Sequence, residues 1–310
     1  MRIIIELPTW IGDCVMVSPA LINLIEKKSI SSIDFIGNRN ALELYKNFPF
    51  ASKFIIHDKR YATYLSYRKL GFYDFAISFR SSIRSKVLLK LIKAKRTKQF
   101  SKRSFKSGHQ VEKYNNFINS TFQFNSLPRR LKLFFDDSNP FKSLKKPLVG
   151  INPGAAYGSA KRWPADKFAH LAERLSKDYH IVIFGGKDEE DIAFQIEGRL
   201  KEIKCRDYTN LAGSTSIAEL VTSIHYLDIF ITGDSGPMHI AAAEQIPTIS
   251  IFGPTISAET SQWLNASSEI IQKNLECQPC MQRVCPLKHH NCMKMIDVDD
   301  VIGVLKKIVI

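Results

Sequence analysis

The chain has 310 residues, of which 45% are hydrophobic and 24% are charged, and these proportions are typical of a folded, water-soluble protein. Its length is sufficient for two domains that each bury a core. The first ten residues, MRIIIELPTW, predict a strand and not a signal peptide. No apolar run approaches the ~18 residues that a membrane-spanning helix needs, and we therefore expect a cytoplasmic protein.

The net charge of +14 is unevenly distributed along the chain. Residues 1–146 contain 28 Lys and Arg against 10 Asp and Glu, a net charge of +18, whereas residues 147–310 contain 16 against 20, a net charge of −4. This asymmetry favours an acidic partner for the first half, which would be a nucleic acid, a membrane surface or an anionic substrate.

In the first half, short apolar segments alternate with helical patterns, which predicts a parallel α/β sheet. The strands are predicted at residues 2–7, 32–37, 53–57 and 74–78. The helices are predicted at residues 14–28, 40–47, 61–70 and 109–122, and residues 80–113 are predicted as a basic helix and loop. Residues 128–147 are polar and bounded by proline, and they are the predicted linker.

The second half repeats the alternation. Its strands are predicted at residues 148–152, 180–184, 226–231 and 248–252, and the last of these closes the sheet. Its helices are predicted at residues 164–176, 188–204, 216–224 and 298–307. We therefore predict an α/β protein of two doubly wound domains, 1–146 and 147–310, the second of which carries a cysteine-rich segment, 277–292, before its terminal helix.

One turn in the second half is a candidate anion site. The sequence TGDSGPMHIAAA, residues 232–243, follows a strand and continues as a helix in which Pro237 suits the first position. Free amides and the positive end of the helix dipole would meet Asp234 and Ser235 there. The alternative interpretation is an ordinary strand-turn-helix in which Asp234 caps the helix.

Asp13 is a candidate base because it follows the first strand and opens a helix, at the sheet edge where ligands bind in open α/β sheets. The helix dipole would keep its carboxylate ionised and ready to accept a proton. The loop before it contains only Gly12 and lacks the GxGxxG pattern, which excludes a dinucleotide fingerprint. The alternative role for Asp13 is that of a helix N-cap.

Two further strand ends in the second half carry similar loops. Residues 152–164, NPGAAYGSAKRWP, combine Gly154 and Gly158 with Lys161, and a lysine beside a flexible loop is suited to phosphate. Residues 184–191, FGGKDEED, pair glycines with Glu189, whose carboxylate could accept hydrogen bonds from a sugar hydroxyl. Acidic residues are also common in the first turn of any helix.

The order of these motifs along the chain is similar to that of a known protein family. PTWIGD, NPG with KRWP, FGGKDEE, NLAG and TGDSGPMH follow one another along essentially the whole chain. The chain resembles the heptosyltransferases of lipopolysaccharide core synthesis, family 9 glycosyltransferases that use ADP-heptose. The resemblance implies the GT-B fold, in which two Rossmann-like domains face a central cleft. The cysteine-rich tail resembles the heptosyltransferase II branch, which adds the second heptose.

The resemblance also implies roles for named residues. Asp13 matches the base that deprotonates the acceptor hydroxyl, and Lys161 matches the lysine that neutralises the departing diphosphate. The reaction is then a single inverting displacement with ADP leaving, and no cofactor or catalytic metal is required. The residues implied in donor binding are Gly154, Ala156, Tyr157, Lys161, Gly185, Glu189, Thr215, Asp234, Ser235, Gly236 and His239. Ala156 and Tyr157 replace hydroxylated residues of some relatives, so backbone groups would contact the phosphates there.

The resemblance implies an acceptor that is a lipid A-linked Kdo and heptose oligosaccharide, and the basic first half suits the negative charge of such an acceptor. The residues implied in acceptor binding are Trp10, Gly12, Arg80, Arg84 and Lys86. Residues 90–106, KLIKAKRTKQFSKRSFK, are interpreted as a patch for an anionic membrane surface at the inner face of the inner membrane. The alternative is a solvated basic surface. Nucleic-acid binding is disfavoured because no nucleic-acid motif accompanies the charge.

Four of the six cysteines form the pattern C-x2-C-x4-C-x6-C, at Cys277, Cys280, Cys285 and Cys292. In a cytoplasmic protein this clustering indicates either a structural zinc site or reduced structural thiols, and not disulfides. The spacing differs from a standard zinc finger, and a catalytic role is not expected. Cys14 and Cys205 are predicted to be buried thiols.

Some functional alternatives share this sequence evidence. A heptosyltransferase I-type enzyme, a glycosyltransferase that uses UDP- or GDP-sugars, or a nucleotide-sugar epimerase would have a related fold.

A DxD pattern at residues 297–300 is interpreted as the start of the last helix and not as a metal-sugar site. We expect the protein to be a monomer.

Overall fold

The computed structural model describes residues 1–58 and 61–308. The chain forms two compact units, Met1–Phe135 and Asp136–Ile310. None of the helices formed by the described residues has the length and hydropathy of a membrane-spanning segment.

The first unit is a parallel sheet with helices on its faces, as predicted. Its strands are β1 (Arg2–Glu6), β2 (Ser32–Gly37), β3 (Ala51–Ile56), β4 (Phe72–Ser78) and β5 (Lys93–Gln99), and their order in the sheet is β3-β2-β1-β4-β5. Its helices are α1 (Ile11–Lys27), α2 (Arg39–Leu44), α3 (Tyr61–Ser66), α4 (Ile83–Leu91) and α5 (Gln110–Phe122).

The middle of the central strand, β1, is apolar on both faces. Ile3, Ile4 and Ile5 of β1 are at most 1% exposed, which is the burial expected of a central parallel strand covered by helices. A buried amide pair links the two helices α1 and α5, because Asn23 Nδ2 donates to Asn115 Oδ1 at 2.8 Å. The apolar pattern of the central strands therefore specifies the sheet.

The basic segment 80–113 differs from its prediction as a helix and loop, since it contains a strand as well as a helix. β5 has the sequence KAKRTKQ, pairs with β4 and is mostly exposed. It lies at the edge of the sheet, where lysines discourage pairing with other chains. Its strand character was not recognised because an exposed edge strand lacks apolar alternation.

The second unit contains a six-stranded parallel sheet of order β11-β10-β9-β6-β7-β8. Its strands are β6 (Leu148–Asn152), β7 (His180–Ile183), β8 (Tyr208–Asn210), β9 (Ile229–Gly233), β10 (Thr248–Phe252) and β11 (Ser268–Gln272). Its helices are α6 (Ala165–Leu175), α7 (Glu190–Glu202), α8 (Ile217–His225), α9 (Gly236–Ala243), α10 (Ser257–Thr260), α11 (Asn291–Lys294) and α12 (Val298–Ile308).

Three strand predictions in this unit are corrected. Residues 248–252 do not close the sheet, because β11 pairs with β10 beyond them. β8 was not predicted because it is only three residues long. β9 begins at Ile229, since Tyr226 is the C-cap of α8 and does not belong to the strand.

The predicted linker, 128–147, is divided between the two units. Its first part packs within the first unit, where Leu131 is buried and Lys132 N donates to Ser18 Oγ at 3.0 Å. Its second part belongs to the second unit, where Phe141 is buried and Thr222 Oγ1 donates to Asp136 O at 3.4 Å. The division therefore lies after Phe135 and not after residue 146, because apolar residues within the polar segment attach it to both cores.

Candidate active site

Each sheet has one position where the strand order reverses, between β1 and β4 in the first unit and between β6 and β9 in the second. The loops after two such strands diverge and leave a crevice at the carboxyl edge of the sheet, which is where ligands bind in open α/β sheets. Asp13 and Arg80 follow β1 and β4, whereas Lys161 and Asp234 follow β6 and β9. The topology thus brings these four predicted site residues to the two reversal points.

A buried ion pair lies at the β6–β9 reversal. Lys161 Nζ is 2.5 Å from Asp234 Oδ2, and the two side chains are only 12% and 6% exposed. Thr255 Oγ1, after β10, donates to the same Asp234 oxygen at 2.6 Å. Asp234 therefore holds the ammonium group of Lys161 at the start of the loop that leads to α9.

A polar network beside this pair joins the predicted Ser235 to Asn152 and Thr232, two residues that the sequence analysis did not select. Asn152 Nδ2, at the end of β6, lies 3.3 Å from both Thr232 Oγ1 and Ser235 Oγ, and the two hydroxyls are 3.0 Å apart. The signal that could have found these residues is a polar residue near the end of an apolar strand. The network fixes the two loops against one another.

In the turn after β9, Asp234 is not the helix N-cap that the alternative interpretation proposed. Ser235 is the N-cap of α9, and the helix begins at Gly236 with Pro237 second. Asp234 makes the ion pair instead of a cap, so that alternative is wrong. The first-turn amides of α9 and the ammonium group of Lys161 supply positive charge at one place, which suits an anion. His239, in the next turn, is 3% exposed.

Glu189 lies against two of the predicted loops. Its carboxylate accepts from Gly186 N at 2.9 Å, and a Cβ added at Gly154 would overlap it. Gly185 also lies beside Glu189, since an added Cβ there would come within 3.4 Å of Glu189 Cβ. The structure therefore brings Gly154, Gly185 and Glu189 together, as an acidic rim between the loops after β6 and β7.

The remaining predicted donor residues have different surroundings. Ala156 is exposed, and Thr215 is half-buried in the loop before α8. The Tyr157 ring lies beneath Lys161 Nζ, 4.7 Å from its centroid, while the Tyr157 hydroxyl donates to Met281 O at 2.8 Å. The Tyr157 ring thus contributes to the position of the lysine.

Gly158 links this loop to the cysteine-rich segment, and its replacement tests that contact. It has a φ of +155°, and an added Cβ would overlap Arg283 O. We expect Gly158→Ala to destabilise the protein by about 1–3 kcal/mol, measured as a change in the free energy of unfolding. The matched control is Gly198→Ala, because Gly198 lies inside α7 with nothing within 4 Å of an added Cβ. That variant should gain about 1 kcal/mol from helix propensity, and equal effects of the two substitutions would contradict the prediction.

In the first unit, Asp13 occupies the third position of α1, and the N-cap is Trp10. The helix therefore begins three residues earlier than predicted, and the N-cap alternative for Asp13 is wrong. Tyr114 on α5 donates its hydroxyl hydrogen to Asp13 Oδ1 at 3.0 Å. Burial, together with Asp13, raises the pKa of Tyr114 well above its ordinary value, so the phenol stays protonated as a donor.

Among the predicted acceptor residues, Trp10 is 44% exposed and Gly12 is buried in the first turn of α1. Arg80 follows β4, and its Nη1 lies 3.3 Å from Glu6 Oε1. Arg84 and Lys86 are exposed on α4. The structure thus places Arg80 at the β1–β4 reversal and leaves the other two cations on the surface of α4.

Glu6 is a buried carboxylate that the sequence analysis did not select. It accepts hydrogen bonds from Ser78 Oγ at 2.6 Å and Ser85 Oγ at 3.0 Å, in addition to its ion pair with Arg80. Its side chain therefore connects the end of β1 to the loop that carries Arg80. Burial raises the pKa of Glu6, although these three partners oppose the shift.

The raised pKa of Glu6 predicts a pH dependence of stability. A carboxyl that binds its proton more tightly in the folded state stabilises the fold below its unfolded pKa, and this contribution is lost as the pH rises through the folded pKa. Glu6→Gln removes the titration. We therefore expect the free energy of unfolding of the variant, relative to the unsubstituted protein, to increase with pH above the ordinary Glu value of about 4.3. Denaturant unfolding from pH 4 to 8 measures this, and a pH-independent difference would contradict it.

All six cysteines are free, and four of them lie together. Cys277, Cys280, Cys285 and Cys292 line one cavity in the second unit. Burial, and then the other three thiols, raise the pKa of Cys292 to about 11. Cys14 is buried as predicted, whereas Cys205 is only half-buried, because it follows the end of α7 near the surface.

The DxD pattern lies at the start of α12, as predicted. Asp300 Oδ2 accepts from Asp297 N at 2.9 Å and pairs with Lys273 at 2.9 Å. Asp297 pairs with Lys167 at 2.7 Å. These carboxylates therefore stabilise the helix start and its contacts.

Comparison with known proteins identifies the family. The model of glycosyltransferase family 9 (heptosyltransferase) matches residues 136–291. The chain is 42% identical to lipooligosaccharide heptosyltransferase 2 of Campylobacter jejuni, with 99% of each chain covered. It is similar in structure to ADP-heptose LPS heptosyltransferase II of Escherichia coli, with a TM-score of 0.83, 22% identity and coverage of 100% of this chain and 98% of that chain.

A second solved structure, a family 9 glycosyl transferase from Veillonella parvula, has a TM-score of 0.85 at 20% identity and covers 99% of this chain and 97% of that chain. These likenesses confirm the predicted fold of two Rossmann-like units, and the full-length sequence similarity confirms the predicted family. The chain belongs to glycosyltransferase family 9, the heptosyltransferases.

Proposed function

We propose that this enzyme transfers L-glycero-D-manno-heptose from ADP-heptose to the inner core of lipopolysaccharide and adds the second heptose. The names of its relatives support this assignment, because both the Campylobacter relative and the Escherichia coli structure are heptosyltransferases of the second type. The observation that carries it is the pair of Lys161 and Asp234 beside the amides of α9, since a diphosphate needs a fixed cation and free N–H donors.

In the proposed reaction, the acceptor hydroxyl attacks the anomeric carbon of the heptose as the bond to the diphosphate oxygen breaks. The electron pair leaves with ADP, the hydroxyl proton passes to Asp13, and the anomeric configuration inverts. Tyr114 holds the Asp13 carboxylate through the 3.0 Å hydrogen bond. Lys161 stabilises the negative charge that builds on the diphosphate, and this contribution is largest in the transition state.

Calorimetric titration with ADP, UDP, GDP and NAD in parallel tests the donor assignment. We expect selective binding of ADP and its loss in Lys161→Met. Preference for UDP or GDP would keep the fold and reject the proposed donor. Binding of none of the four would reject the donor site itself. A positive ADP result is followed by a transfer assay with ADP-heptose and a truncated lipopolysaccharide that carries one heptose.

We further propose that the enzyme acts in the cytoplasm, as a monomer, against the anionic inner face of the membrane. Ile83 and Val87 are 82% and 44% exposed and lie four residues apart on α4. The same helix and the following strand, β5, carry exposed cations, and these are Arg84, Lys86, Lys90, Lys93, Lys95, Arg96 and Lys98. Exposed apolar side chains among cations are suited to an anionic lipid surface.

Vesicle flotation tests this surface. The protein should bind vesicles that contain phosphatidylglycerol, and the double variant Lys86→Glu/Lys90→Glu should bind them less. The matched control is Lys201→Glu/Lys204→Glu, which makes the same charge change on the second unit. Equal binding by both variants would contradict the assignment of the basic face.

A further inference from the structure

The cysteine-rich segment has an unusual distribution of exposure. Between β11 and α11, residues 273–290 form no helix or strand. Met281, Val284 and Leu287 in this segment are 48%, 67% and 59% exposed. Leu275 packs against the core of the second unit at the start of the segment, whereas these three apolar side chains form no core that could hold the rest of it.

The cysteine side chains of the segment point inward, whereas these apolar side chains point toward solvent. Cys277, Cys280 and Cys285 are half-buried, Cys292 is 7% exposed, and all four line one cavity of about 20 Å³. A small irregular segment that turns thiols inward and apolar groups outward is typical of a fold held by metal ligation.

The two nearby histidines have other partners. His290 Nε2 lies 2.9 Å from Ala160 O, and His289 Nδ1 accepts from Asn291 N at 3.0 Å. These bonds engage one ring nitrogen of each histidine, whereas all four cysteine side chains line the same cavity, so we take the four sulfur atoms as the donor set. Four thiolates are the preferred tetrahedral ligands of zinc and of iron.

We propose that Cys277, Cys280, Cys285 and Cys292 together bind one thiophilic metal ion, with zinc expected, and that this ion holds segment 273–290. Each thiol loses its proton to solvent as its sulfur binds, with no change of oxidation state. Within the described residues, no group of three or more His, Cys, Asp or Glu side chains is yet arranged to hold an ion. The three cysteines outside α11 lie on irregular backbone, so the side chains close on the ion by rotation.

The segment is in direct contact with the loop that carries Lys161. Ala160 N donates to Arg283 O at 3.0 Å, and Tyr157 donates to Met281 O at 2.8 Å. Gln278 Nε2 donates to Gly253 O at 2.7 Å, just before Thr255. If the proposed donor site is correct, the metal therefore positions Lys161 and Asp234 indirectly.

Elemental analysis of the full chain, purified in reducing buffer without chelator, tests the metal site. We expect about one equivalent of zinc or iron per chain, a stoichiometry set by four ligands in one tetrahedral site. After removal of the metal, titration with Co²⁺ should produce the absorption bands of a tetrahedral cobalt-thiolate complex. Both measurements use the unsubstituted protein, so they do not depend on the folding of a variant.

Cys280→Ser and Cys285→Ser should lose the metal, while the control Cys205→Ser, outside the cluster, should retain it. Absence of bound metal and of cobalt-thiolate bands would overturn the proposal. So would retention of full metal content by both cluster variants, or disulfides between these cysteines in non-reducing peptide mapping.

A separate measurement tests whether the metal affects the loop that carries Lys161. Removal of the metal should weaken ADP binding by at least about tenfold, or about 1.4 kcal/mol. Unchanged ADP affinity after removal would reject the coupling. If the metalated protein binds no ADP at all, the donor assignment fails, whereas the elemental analysis still decides the metal site.

Discussion

Asp13→Asn is expected to lower kcat for heptose transfer by about 10²–10⁴-fold, the contribution typical of a general base. Asparagine keeps the size of the side chain and its place in the first turn of α1, but it cannot accept a proton. The affinity for ADP should be unchanged, because the proposed donor residues all lie in the second unit. Steady-state transfer rates and ADP calorimetry on the same preparation measure both quantities.

Two variants control for indirect effects. Tyr114→Phe keeps the aromatic ring and removes the hydrogen bond to Asp13, and it should lower kcat less than Asp13→Asn does. Asp74→Asn makes the same chemical change at a surface ion pair with Lys95, and it should leave transfer unaffected. If Asp13→Asn kept most of the activity, Asp13 would not be the base.

Lys161→Met is expected to weaken ADP binding by at least about tenfold and to lower kcat by about 10²–10³-fold, the effect of removing one charge-stabilising donor. Methionine keeps the apolar stem of the lysine and removes its charge. The substitution also leaves Asp234 buried without its cation, and breaking such a pair costs about 3–5 kcal/mol of stability. Calorimetry, transfer rates and thermal unfolding measure the three effects.

The double variant Lys161→Met/Asp234→Asn separates stability from function. It removes the uncompensated carboxylate, so it should recover part of the lost stability without recovering ADP binding. Lys167→Met is the matched control, because Lys167 pairs with the mostly exposed Asp297 in the same unit. Recovery of ADP binding in the double variant would show that Lys161 acts only as the partner of Asp234.

The central strands could be predicted from the sequence because a buried strand has an apolar local composition. β2, β6 and β10 have the predicted bounds, since each is a short apolar segment between polar turns. The edge strands β5 and β8 were missed because KAKRTKQ and YTN lack that pattern. They become strands only by pairing with β4 and β7, and this pairing is a tertiary property.

Some features of the candidate site could likewise be predicted from the sequence, and others depend on tertiary structure. Asp13, Lys161 and Asp234 could be selected from the sequence because motifs at strand ends mark them. The contacts that these residues make could not be predicted, since Asp234 lies 73 residues from Lys161 and 21 residues from Thr255 along the chain. Glu6 likewise meets Arg80 only because β1 and β4 are neighbours.

The four clustered cysteines show most directly what the sequence alone could not predict. Their spacing alone allowed a structural zinc site or reduced thiols, with zinc the less favoured of the two. Folding turns four sulfur-bearing side chains toward one cavity, and it turns Met281, Val284 and Leu287 toward solvent. Sequence by itself determined the family, the alternation of strands and helices, and the motif residues, because these depend on local composition and order. Tertiary structure decided the edge strands, the buried ion pairs and the thiol cluster, because each requires side chains that are distant in the chain to share one low-dielectric environment.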